Sequence, residues 1–126
     1  MNREIKKELS ELIDNITDLS KKRQTIHKEQ QQIRDKINII RAKLIIDIGT
    51  AKDDRGKPVY SNEQLRNAAL ILRLDENGEY QQLKERLREL NNEDQELVID
   101  YNRLVDRRLL LLVEVGVVNP SSSDNA

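Results

Sequence analysis

Apolar residues recur along the first part of the chain at alternating spacings of four and three: Ile5, Leu9, Leu12, Ile16, Leu19, Ile26, Ile33, Ile37, Ile40 and Leu44. This is a heptad repeat. Leu9, Ile16, Arg23, Gln30, Ile37 and Leu44 take the a positions, and Ile5, Leu12, Leu19, Ile26, Ile33 and Ile40 take the d positions. A stripe this narrow cannot be sheltered by its own helix and needs a second helix along its length, from the same chain or another. The pattern predicts a first helix over residues 4–48. Gly49 is the expected stop, because glycine accepts the left-handed conformation that closes helices.

The segment Lys52-Asp53-Asp54-Arg55-Gly56-Lys57-Pro58 is rich in turn formers and charge, and reads as a loop. Ile45, Ile46 and Ile48 before it, and Val59 and Tyr60 after it, also allow a short β-hairpin. A second helix is expected over 62–75. Ser61-Asn62-Glu63-Gln64 has the form of a capping box with Ser61 as N-cap, and Leu65, Ala68, Ala69 and Leu72 mark the side to be buried. Asp75-Glu76-Asn77-Gly78 then breaks the pattern, with Asn77 as the cap of a third helix over 77–116. There the heptad returns at Tyr80, Leu83, Leu87, Leu90, Asp94, Leu97, Tyr101, Leu104, Arg108, Leu111 and Val115. Residues 119–126 read as a disordered tail.

The predicted fold is all-α: a long antiparallel coiled-coil helical hairpin made of a long helix, a loop, a short helix, a kink and a long helix. Residues 1–118 form its single domain, and it is expected to be oligomeric. A loop of about a dozen residues favours antiparallel neighbours in one chain. In that arrangement Arg23 should face the stretch from Glu85 to Asp94.

Composition agrees with long helices. The chain of 126 residues has no Phe or Trp and three Tyr, and 36% of it is charged. Its mean hydropathy is -0.76. A narrow helical core does without bulky aromatics, whereas a compact globule uses them to fill its centre. The net charge of -1 gives no global pull towards nucleic acid or an acidic membrane. The absence of cysteine excludes disulfides, thiolate catalysis and cysteine-ligated zinc, and fits a cytoplasmic setting. Met1 to Lys7 lack the apolar stretch of a signal peptide, and Leu109 to Val113, the longest apolar run, is too short for a membrane span.

From Gly56 to Gln81 the chain carries Gly56-Lys57-Pro58-Val59-Tyr60-Ser61-Asn62-Glu63, then Arg66, Ala68-Ala69-Leu70, Arg73-Leu74 and Glu79-Tyr80-Gln81. In these residues it resembles a group of small coiled-coil proteins encoded by phages and prophages. The resemblance covers residues 56–90. Members usually carry an acidic residue where Asn77 stands, and often Pro or an acidic residue where Gly78 stands. The group has no established activity to carry over, and the resemblance hints only at a setting near replication and recombination genes.

No residue set points to a reaction. His27 is the only histidine and sits beside the seam, and a lone His without Cys cannot make a standard zinc site. The carboxylates fall at surface spacing, as in Glu85, Glu89 and Glu93, without the converging pocket that acid–base catalysis needs. Asp53 and Asp54 lack the ordered spacing of a calcium loop. No catalytic residue, metal ligand or cofactor is therefore expected.

Three sets of residues bear on interaction instead. Arg23, Gln30, Asp94 and Arg108 are polar at seam positions, where such residues set register or oligomer number. Replacing Arg23 by Leu is accordingly expected to raise stability and broaden the range of oligomers. Leu109, Leu110, Leu112, Val113 and Val117 make the end of the third helix apolar on more than one side, which calls for a partner surface, first of all a second copy. Lys21, Lys22, Lys36, Arg41 and Lys43 help make the first helix basic, and could track phosphates weakly and with salt sensitivity. The primary expectation is a non-catalytic interaction or scaffold protein with loop 52–60 free for a protein partner. The alternative is an accessory DNA-binding protein of replication or recombination.

Overall fold

The computed structural model describes residues 3–116. It is all-α, with three helices in the order α1 (Arg3–Thr50), α2 (Glu63–Glu76) and α3 (Gly78–Glu114). Every a and d position of α1 is buried or half-buried, and so is every heptad position of the third helical segment from Tyr80 to Val115. The seam read from the hydrophobic spacing is therefore the side that each helix turns away from water.

Each helix end falls within two residues of its expected position, and two of the differences have a visible cause. α1 does not stop at Gly49 but runs on to Thr50. Ile48, only 2% exposed, holds this last turn against the rest of the protein. The Thr50 hydroxyl also donates to the Ile46 carbonyl at 2.7 Å. Packing here outweighs the cost of about 1 kcal/mol for a glycine inside a helix. The N-cap of α2 is Asn62 rather than Ser61, for the Asn62 side chain accepts from the Leu65 amide at 2.9 Å. Either residue type is a good cap, and only the backbone geometry distinguishes neighbours.

Asn77 behaves as its sequence setting predicts, and it also closes the preceding helix. Its amide donates to the Leu74 carbonyl at 3.2 Å, and its side chain accepts from the Tyr80 amide at 2.8 Å. The Gln81 amide group reaches back to the Leu74 carbonyl at 3.1 Å. One extended residue, with φ -81° and ψ 109°, thus ends α2 and starts α3. At the other end of α3, the Gly116 amide donates to the Val113 carbonyl at 3.0 Å, with φ at 75° in the left-handed region that glycine tolerates. Val117 and the predicted tail 119–126 lie outside the described residues.

No strand forms among the described residues. Between α1 and α2 a single antiparallel bridge joins Lys52 and Pro58. Within it, Asp53 organises a tight turn. Its carboxylate accepts from the amides of Arg55 at 2.9 Å and Lys57 at 3.0 Å. Gly56 sits at φ 77°, a left-handed conformation that residues with a side chain rarely adopt.

The chain divides into two compact units. The first joins residues up to His27 with those from Asn92 onwards. Its core is Leu9, Leu12 and Leu111, with Ile5, Leu104 and Leu112 packed against it. The second unit is Lys28–Asn91. It contains the later part of α1, the turn, α2 and the start of α3, and buries Ile33, Ile48, Ala69, Leu74 and Leu90.

Candidate functional site: polar seam and exposed apolar faces

The polar seam residues are brought together in pairs. In the first unit, Arg23 of α1 meets Asp94 of α3 with Nε to Oδ1 at 2.9 Å and Nη2 to Oδ2 at 3.3 Å. Asp94 lies at one end of the stretch in which a partner for Arg23 is expected. His27 stands one turn further along α1, its Nε2 3.2 Å from Asp94 Oδ2. The hydrogen bond from Arg23, helped by that of His27, holds the Asp94 carboxyl below the usual aspartate range, against the opposing effect of partial burial. The Arg23 guanidinium is in turn held above its ordinary value by the hydrogen bond to Asp94. Further along the same unit, Arg107 pairs with Glu8 at 2.9 Å. Rising positions on α1 thus meet falling positions on α3.

In the second unit, Gln30 is 6% exposed. Its amide donates to the Asn91 side-chain oxygen at 2.6 Å. Arg86 binds Glu29 through two donors at 2.7 and 3.2 Å, which holds the Glu29 carboxyl below its ordinary range. A similar local contact with Arg88 lowers Glu85. Asn91 and Arg86 escape a heptad reading because they stand beside the seam rather than on it. Their signal is the opposite partner, and that requires the register. Arg108 is half-buried on α3.

Neighbouring residues at the end of α3 fare differently. Leu111 is 1% exposed within the core, whereas Leu109 and Leu110 are 51% and 57% exposed. Leu112 and Val113 are half-buried, Leu112 against the core cluster. Ile13 of α1, in the same unit, is also exposed. Some of this apolar run is therefore satisfied within the chain, and some of it faces water.

The basic residues do not share one face. In the heptad register Lys22, Lys36 and Lys43 take g positions, on one flank of the seam. Arg41 is at e on the other flank and Lys21 at f on the outer side. All five are exposed. Lys22 lines an open groove of about 420 Å³ beside Glu93, Glu96 and Asp100, so anionic neighbours offset its charge. Among the described residues no group of three or more His, Asp or Glu is arranged to hold a metal ion. No helix of the described residues is long and apolar enough to cross a membrane.

No protein-family model, curated protein or solved structure matches the chain. Several polar residues around α2 have identifiable structural tasks in the second unit. Arg66 donates to the Tyr60 carbonyl at 3.3 Å, and Arg73 reaches the Tyr60 hydroxyl at 3.5 Å. Gln81 covers the open carbonyls at the end of α2. Together they fix the turn against α2 and α2 against the start of α3.

Proposed function

We propose that the chain is a non-catalytic interaction module: an antiparallel coiled-coil hairpin of phage descent that self-associates through the apolar end of α3. The observation that carries this reading is the contrast between Leu111 and its neighbours. Leu111 is 1% exposed, while Leu109 and Leu110 remain more than half exposed beside it. A leucine side chain taken fully from water contributes about 1.5–3 kcal/mol, so these two side chains and Ile13 leave an association energy unrealised in a lone chain. A second copy offers the same surface and can cover it isologously.

The polar pairs support a scaffold reading. Arg23–Asp94 and Gln30–Asn91 join α1 to α3 through groups that fit in one alignment only, which favours register over maximal stability. The turn adds a presentation surface. Its backbone is tied down by Asp53, and the side chains of Lys52, Arg55 and Lys57 are exposed on it. A protein partner would meet these cations with little ordering left to do.

Leu109 and Leu110 are the positions to test, because they contribute least to the core. The Leu109→Asp, Leu110→Asp double variant should keep its helicity by circular dichroism and elute as a smaller species in size-exclusion chromatography with light scattering. A mass identical to that of the unsubstituted chain across the micromolar range would refute association through this end.

A further inference from the structure

Ile99 of α3 is 53% exposed, in the same unit as Leu110 at 57%. The two belong to one outward stripe. Ile99, Arg103, Asp106 and Leu110 follow each other at spacings of four, three and four, and all four are exposed. This is heptad spacing on the side of α3 opposite the seam of Leu97, Leu104 and Leu111. Single exposed apolar residues are ordinary on a surface. Two of them in heptad register, enclosing a pair of opposite charges, make a helix-pairing pattern. Arg103 borders an open groove beside Asp18 of α1. Neither it nor Asp106 has an ion-pair partner among the described residues.

We infer that this stripe packs on the same stripe of a second copy, antiparallel, about a two-fold axis midway between Arg103 and Asp106. The inference rests on self-association through the end of α3 and gives that contact a geometry. The spacing reads the same in both directions, so the two stripes interdigitate when antiparallel. Ile99 of each copy then lies opposite Leu110 of the other, and Arg103 of each lies opposite Asp106 of the other. Two ion pairs form at the centre, and an apolar pair closes each side of them. Parallel alignment would set Arg103 against Arg103 and Asp106 against Asp106, and that repulsion selects the antiparallel arrangement. On the flanks Asp100 falls near Arg107 of the other copy, and Asn102 near Leu109. No like charges meet between Ile99 and Leu110. Beyond that stretch Glu93 approaches Glu114 of the other copy, which confines the contact to these four layers. None of the paired residues belongs to the chain's own core, and the result is a closed, isologous dimer.

Charge exchange tests the pairing by analytical ultracentrifugation, with helicity checked by circular dichroism. Arg103→Glu alone sets carboxylates against each other, and Asp106→Arg alone sets guanidiniums against each other. Each should weaken self-association about ten-fold. Mixed in equal amounts, the two variants should form a heterodimer as tight as the parent homodimer. The double variant Arg103→Glu, Asp106→Arg should recover the homodimer with the net charge of the parent. Single variants that associate like the parent would overturn the pairing. So would a mixture and a double variant that both stay monomeric. If Leu109→Asp, Leu110→Asp still separates the parent in either case, association through the α3 end stands and only this geometry fails. A parent chain that is itself monomeric overturns both.

Discussion

Replacing Arg23 by Leu tests how the polar layer works. Read from the heptad alone, a leucine at this seam position should stabilise the protein. The pairing with Asp94 reverses that expectation for the single substitution. The side chains of Arg23 and Asp94 are 30% and 18% exposed. Removing the guanidinium would leave a mostly buried carboxylate with His27 as its remaining partner. Exposed ion pairs contribute up to about 1 kcal/mol, and breaking a fully buried pair costs about 3–5 kcal/mol, so about 1–2 kcal/mol is appropriate for this intermediate case. That corresponds to a fall of roughly 4–8 °C in melting temperature. Asp94→Leu alone should cost a similar amount, because it strands Arg23. The double variant removes both charges and completes the apolar seam, and should melt at or above the unsubstituted protein. Thermal melts by circular dichroism at pH 7 and one fixed protein concentration give the complete double-mutant cycle. The sign with pH follows from the lowered Asp94 carboxyl. Its contribution is complete above the ordinary aspartate value of about 3.9 and disappears as pH falls through the lower folded value, so the difference between Asp94→Asn and the parent should shrink in that acid range. A higher melting temperature for Arg23→Leu alone would refute the reasoning.

Two other substitutions follow from burial and capping. Leu90 is 1% exposed, and Leu90→Ala should cost about 2–5 kcal/mol in urea unfolding, whereas Leu110→Ala should change monomer stability little. Asn77→Ala removes the side chain that caps α3 and should cost about 0.5–2 kcal/mol, with faster amide exchange concentrated at Tyr80 and its neighbours.

Much of this architecture is legible in the sequence because a heptad reports directly on burial. The alternation from Ile5 to Leu44 needs no tertiary knowledge to define the face of α1, and Asn77 before Gly78 marks a helix start by local chemistry alone. The misplaced details lie where two local solutions have nearly equal energy. Ser61 and Asn62 are both competent caps, and the choice depends on where the turn delivers the chain. Gly49 reads as a stop until Ile48 is seen to be buried, since packing of one residue decides the state of the next. The partners beside the seam, Asn91 for Gln30 and Arg86 for Glu29, depend on alignment between distant segments. α2 has a second apolar side, at the exposed Leu65, Ile71 and Leu72, which is hidden for a different reason. Leu65, Ala68, Ala69 and Leu72 look like a core stripe, yet the buried residues are Ala69 and Leu74. A helix with apolar residues on more than one side gives no sequence signal for which side meets its own chain.

The most direct test of one chain sheltering its own seam uses Glu8 and Arg107, which pair at 2.9 Å. In this cysteine-free protein, the Glu8→Cys, Arg107→Cys variant should close a cross-link within a single chain in dilute solution, seen as a faster-migrating monomer after treatment with a short bifunctional reagent. Links formed only between chains, or none at all, would contradict it.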